Sequence, residues 1–176
     1  MKSVAEELGC GTMTLYSHVS DKDDLLSGVV ALLIEEMDLQ LVEGQGWREV
    51  ARRIAGSYKD LAFRHPHAFE LLALARDDEA PIAPYLERIL WLMQRSGLSD
   101  VAARRFLSVA DGFTSGFLAM TVRRNALGTQ NENSDPVERE WSHLAQLQAA
   151  EAYEEGFEVV LAGIAHVFGI EHEETV

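Results

Sequence analysis

Apolar residues recur at helical spacing along almost the whole chain. Nowhere do they alternate with polar ones as a half-buried strand requires. Val4, Ala5 and Leu8 give one apolar face to a short helix over residues 2–8, and Gly9 is placed to stop it in a left-handed conformation. Leu15 and Val19 do the same for residues 12–19 after the Gly9-Cys10-Gly11 break. A wide stripe from Leu25 through Val29, Leu33 and Met37 to Leu41 predicts a long helix over 21–43, ended by Gly44-Gln45-Gly46. Ser20 with Asp23 reads as a capping box at its start, and Asp21, Asp23 and Asp24 suit the positive end of its dipole.

The same period continues downstream. Val50, Ile54, Tyr58 and Leu61 mark a helix over 47–64, which His65-Pro66 must end. Pro66 can then serve as first residue of a helix to about 75. Residues 76–80 read as a polar loop. Pro81 or Pro84 opens a helix to 96 with Leu86, Ile89, Leu90 and Met93 apolar, and Gly97 caps it. A long helix follows over 101–123, with a broad face of Phe106, Val109, Ala110, Phe113, Phe117 and Met120, among which sit Asp111 and Thr114. Residues 125–135 are the one stretch of low hydrophobicity and read as a mobile loop. Pro136 starts a final helical region to about 168, as one helix or as two broken near Gly156, and residues 171–176 read as a frayed tail. The fold class expected is all-α, with two short helices and a tight Gly-containing turn forming a helix-turn-helix, a unit that places its second helix in the DNA major groove.

Composition narrows the function. With 176 residues, 47% of them apolar and 25% charged, the chain is long enough for one sizeable core or a small head on a larger body. The longest apolar run, 28–34, is too short to span a bilayer, and no signal-peptide pattern is visible, so no membrane partner is expected. The single Cys10 cannot form an internal disulfide, which fits a cytoplasmic location; it reads as a small turn residue, with a redox role as the alternative. The net charge of -14 excludes broad affinity for nucleic acid, and the head itself sets Lys2 and Lys22 against Glu6, Glu7, Asp21, Asp23 and Asp24. A small head that touches DNA remains open, and its own acidity counts against strong binding. No nucleophile–base pair, phosphate-binding glycine loop or metal-ligand spacing occurs, so neither an enzyme nor a bound cofactor or metal is expected. His65 and His67, two apart, cannot share a helical face.

Leu8-Gly9, followed by Thr14-Leu15-Tyr16, His18-Val19, Lys22 and Leu25-Leu26 at fixed spacing, resembles the DNA-binding signature of the TetR family of bacterial transcriptional repressors. The likeness covers about the first 26 residues. It implies that Tyr16 and Lys22 contact DNA phosphates, that Thr12, Met13 and Thr14 face bases, and that His18 either contacts phosphate or gains from the helix dipole. It also implies a partial DNA-binding head with its connecting helix over 1–43, and a ligand-binding and dimerisation domain over 44–176. The family's helix ahead of the pair has no counterpart in this sequence. A late-assigned start or a cut chain is therefore expected, with residues 1–19 weakly anchored.

The function implied is a ligand-responsive repressor that binds operator DNA as a homodimer. The alternative is a helical small-molecule-binding and dimerisation protein without DNA binding. Candidates for a cavity that holds a largely apolar effector are Tyr58, His65, Phe69, Trp91, Phe113 and Phe117, with Trp47 beside them; each also fits plain core packing. Candidates for a dimer interface between the 101–123 helix and the last helix are Gly112, Gly116, Gly156, Val160 and Gly163, whose small size also suits an ordinary monomer core.

Overall fold

The computed structural model describes residues 1–75, 80–129 and 136–170, the side chains of 127–148 excepted. Among the described residues there are eight helices and no strand: α1 (Lys2–Glu7), α2 (Thr12–Tyr16), α3 (Lys22–Glu35), α4 (Trp47–Arg64), α5 (Pro66–Ala73), α6 (Ile82–Arg95), α7 (Asp100–Thr129) and α8 (Pro136–Phe168). The expected 76–80 loop in large part, the expected loop beyond residue 129 and the 171–176 tail lie outside the described residues.

Helix α4 shows how pattern becomes packing. Val50, Ala51, Ile54, Ala55, Tyr58, Leu61 and Ala62 fall on one face and are all buried, while Arg52, Asp60 and Arg64 stay exposed. The Glu49 carboxylate accepts from the Gly46 amide at 3.3 Å and fixes its start. Pro66 then opens α5, as the His65-Pro66 pair requires. Helix α7 packs against α4, α5, α6 and α8, and α3 packs on α5. One continuous apolar cluster results, running from Val30, Leu33 and Met37 through α4–α7 to Tyr153, Phe157 and Leu161 of α8. No helix of the described residues is long and apolar enough to cross a membrane.

Three elements differ from the periodicity. Helix α3 stops at Glu35, eight residues before the expected 43. The apolar stripe is real, but the backbone beyond it is captured by side chains from elsewhere. Arg53 donates to the Asp38 carbonyl at 3.0 Å and to the Gln40 carbonyl, and its guanidinium pairs with the Asp38 carboxylate at 2.7 Å. Ser57 Oγ accepts from the Asp38 amide at 2.9 Å, and Arg88 of α6 donates to the Leu39 carbonyl at 3.1 Å. These bonds satisfy polar backbone groups that a helix would otherwise use.

Helix α2 ends at Tyr16 instead of 19; the Ser17 hydroxyl turns back onto the Thr14 carbonyl at 2.6 Å. Helix α7 runs on to Thr129, past the expected 123, and α8 passes Gly156 unbroken. Low hydrophobicity at 125–129 does not oppose a helix, since Ala126 and Leu127 are good helix formers. The cap of α3 also sits one residue later than the sequence suggested. Asp21 accepts from the Asp24 amide at 2.8 Å, and the Asp24 carboxylate accepts from the Ser20 amide and hydroxyl at 2.8 and 2.9 Å.

Gly156 of α8 packs tightly under the Phe113 ring of α7. A methyl group built on it would lie 2.6 Å from Cζ of Phe113. The expected result for Gly156→Ala is a net loss of stability: overpacking costs about 1–3 kcal/mol, against a helix-propensity gain of roughly 1 kcal/mol. Gly28→Ala, on an exposed part of α3 with nothing within 4 Å, should instead stabilise by up to about 1 kcal/mol. Urea unfolding of both variants checks this, and equal effects would refute the packing account.

Candidate functional site

The head is built on a tight turn. Gly9 adopts φ of 64°, its amide donates to the Glu6 carbonyl at 3.1 Å, and the Cys10 amide donates to the Ala5 carbonyl at 2.9 Å. This pair of bonds closes α1 in a left-handed cap that a side chain at residue 9 would strain. It swings α2 across α1, where Ala5 and Leu15 are buried against the rest of the head. Neither belongs to the main apolar cluster. Thr12, Met13, Thr14, Tyr16, His18 and Lys22 are all exposed, Met13 most fully at 82%. They form an outward surface on α2 and the start of α3. The Ser20 amide and hydroxyl hold the Asp24 carboxyl below the usual carboxylate range, so this acid serves as a cap.

The body contains a cavity of about 40 Å³ between α4, α6, α7 and α8. Its walls are mostly apolar, from Ala51 and Ile54 of α4 through Ile89 and Met93 of α6 to Ala110 of α7 and Phe157 of α8. At one end sit Tyr58, Tyr85, Asp111 and Thr114. Tyr58 shares a 2.9 Å hydrogen bond with Ser115, which donates to Asp111 Oδ1 at 3.1 Å. Burial pushes the Tyr58 phenol up; the Ser115 bond works against this and the nearby Asp111 carboxylate adds to it. Tyr85 is raised well above the ordinary phenol value, by burial first and then by Tyr58, Asp111 and Tyr153. Among the described residues no cluster of His, Cys, Asp or Glu could hold a metal ion.

A volume of about 40 Å³ has room for water but not for a drug-sized molecule, which needs roughly 300 Å³ or more. The space has two ways to grow. Leu86, Leu107 and Asp111 also line a groove of about 350 Å³ between α6 and α7 that reaches Arg104 and Gly112. Ala55 and Phe157 also line a groove of about 440 Å³ between α4 and α8. That second side is latched: Arg52 donates to both oxygens of Glu158 at 2.6 and 2.9 Å, and Lys59 pairs with Glu154. The Arg52 bonds hold the Glu158 carboxyl below its usual range although partial burial opposes them.

Of the aromatic and histidine positions that the sequence suggested for a cavity, the structure places Tyr58 on this wall. Phe69 is fully buried behind it, edge-on to Tyr58 with ring centroids 4.9 Å apart. Phe113 stacks on Tyr153, Phe117 meets the same ring at a 57° tilt, and neither belongs to the lining. His65 pairs with Glu36 at 3.2 Å, and Trp47 is buried edge-on to Phe106. Trp91 is 40% exposed under the Arg88 guanidinium, 4.3 Å from its ring centre. Tyr85 was missed; Asp111 and Thr114 were visible as polar residues inside an apolar stripe, which is the signal that marks a polar spot on a cavity wall.

Helices α7 and α8 also present an outer face. Val109 and Met120 of α7 are 53% and 65% exposed, and Val159 and Val167 of α8 are 72% and 71% exposed. Gly112, Gly116 and Gly163 lie exposed among them. Gly156 turns inward onto Phe113, and Val160 is partly buried against the core.

This arrangement has known counterparts. The family model described as the tetracycline-repressor-like C-terminal domain matches residues 42–168. The HTH-type transcriptional repressor DrrR1 of Streptomyces coeruleorubidus is 32% identical over 119 residues, covering 66% of this chain and 43% of that protein, so the chain spans less than half of this relative. The class D tetracycline repressor protein of Escherichia coli is 27% identical over 183 positions, covering 96% of this chain and 84% of its own length. Among solved structures, the Streptomyces coelicolor TetR family protein ActR in complex with actinorhodin superposes with a TM-score of 0.69 at 21% identity, covering 94% of this chain and 86% of that one, a likeness of fold. With the family model matching residues 42–168, the greater part of its length, the chain belongs to the TetR-type family of transcriptional repressors.

Proposed function

We propose that the chain works as a homodimeric, ligand-responsive repressor. Its exposed α7 and α8 faces pair across a two-fold axis. Thr12, Met13, Thr14, Tyr16, His18 and Lys22 of each head meet one half of an operator, and an apolar effector occupies the cavity beside Tyr58. The observation that carries this reading is the placement of the two arginines that hold the linker. Arg53 lies next to Ile54 on α4, and Arg88 lies next to Ile89 on α6; Ile54 and Ile89 line the cavity, while both arginines grip the backbone at residues 38–40. A guest that spreads α4 and α6 therefore moves the linker and with it the head. That is the differential contact between two states which release of DNA requires.

The dimer reading is supported by the exposed apolar residues of α7 and α8, Val109, Met120, Val159 and Val167, since exposed apolar surface marks association sites. Two recognition helices about one DNA turn apart then read two half-sites. The test has two arms. Light scattering should give twice the 19.6 kDa mass of one chain. Fluorescence anisotropy on duplex DNA from the region upstream of the gene should show saturable binding, weakened at least tenfold in Lys22→Ala. A monomeric mass rejects the paired-head mechanism. A dimer with no preference for that DNA over a scrambled duplex rejects the repressor reading and leaves a ligand-binding dimer.

A further inference from the structure

The polar end of the cavity is one-sided in its hydrogen bonding. Ser115 has one proton and gives it to Asp111 Oδ1 at 3.1 Å, so the 2.9 Å bond between Ser115 and Tyr58 is donated by the phenol. Thr114 gives its proton to the Asp111 backbone carbonyl at 3.3 Å, within its own helix. The Asp111 carboxylate can only accept. Tyr58 and Thr114 therefore face the cavity with lone pairs and no spare proton. Among the described residues, none that lines the cavity is Lys, Arg, His, Asn, Gln or Trp, the other side chains that donate N–H. Among the described lining residues the one remaining donor is the Tyr85 hydroxyl, which has no hydrogen-bond partner among the described residues.

We propose that this cavity selects an apolar ligand carrying hydrogen-bond donors, O–H or N–H groups on an aromatic or alicyclic body, and discriminates against ligands whose polar groups only accept. The inference rests on reading the cavity as the effector site and adds the chemical class of the effector. An ether, ester or ketone oxygen brought to this end meets the lone pairs of Tyr58 and Thr114, and among the described residues only Tyr85 can serve it. A phenol or amine satisfies the acceptors and can in turn accept from Tyr85. A buried acceptor left without a donor loses its solvation uncompensated, which is where the discrimination arises.

The probes are 2-naphthol and 2-methoxynaphthalene, identical but for one O–H, titrated calorimetrically into the full chain. The free naphthol is expected to bind about tenfold tighter, the worth of one net hydrogen bond. Tyr58→Phe and Thr114→Val, each checked for intact helix content by circular dichroism, should each narrow that ratio. Ala110→Leu, which fills the cavity, should weaken both probes. Equal affinity for the two probes, with both weakened by Ala110→Leu, overturns the donor preference while the cavity stands as the binding site. Binding of neither probe, or binding that Ala110→Leu leaves untouched, overturns the proposal together with the reading of the site on which it rests.

Discussion

Raising the pH above 10 is expected to unfold this protein steeply, by up to about 4 kcal/mol per pH unit. The cause is three phenols. Tyr58, Tyr85 and Tyr153 all stand above the ordinary value of 10.0, with burial the largest contribution in each. The sign follows from proton counting. Above pH 10 the unfolded chain releases these three protons while the folded chain keeps them, so the unfolded state is favoured as pH rises. Each phenol contributes about 1.4 kcal/mol per pH unit, and the full stability is present only below the unfolded value. A domain of ordinary stability, roughly 5–15 kcal/mol, is then exhausted within a few pH units. Circular dichroism and phenolate absorbance recorded together provide the check. Phenolate from these three residues should emerge with loss of helix, and Tyr153→Phe should flatten the slope by about a third. Full phenolate absorbance at pH 11 with helix content unchanged would refute it.

The second large effect is at Phe69, which has no solvent exposure and stands edge-on to Tyr58. Phe69→Ala is expected to cost about 3–5 kcal/mol, the range for deleting a buried aromatic, of which the ring pair accounts for roughly 1 kcal/mol. Because Phe69 backs the Tyr58 wall, the vacated space lies directly behind the cavity. Small apolar probes should consequently bind the variant better even as its urea midpoint falls. A loss below about 1 kcal/mol would mean that α5 collapses into the gap, and that Phe69 does not fix the position of Tyr58.

What could be read from the sequence was what depends on near neighbours in the chain. Helix α4 is bounded at Trp47 and Arg64 as expected, because a glycine at one end and His65-Pro66 at the other are local signals. The left-handed stop at Gly9 is legible for the same reason. Helix α3 ran too long in the reading because nothing in residues 36–43 announces that Arg53 and Arg88 will hold that backbone from 13 to 49 positions away. The cavity was only partly legible. Aromatic content pointed to Trp91 and His65, which the structure puts on surface contacts, and passed over Ala51 and Ala110. A cavity wall is often made by what is small, and small residues carry no periodic signal of their own.

The bonds that Arg53, Arg88 and Ser57 make to residues 38–40, together with Val30, Leu33 and Met37 in the main cluster, have a practical consequence for dissecting the chain. A fragment starting at Gly44 would take away the partners of two arginines and uncover one end of the apolar cluster. A fragment starting near Asp21 would keep both intact and lose α1 and α2, whose buried Ala5 and Leu15 lie outside the main cluster. The shortest body fit for calorimetry or crystallisation is therefore set by where the arginines reach, and it includes all of α3.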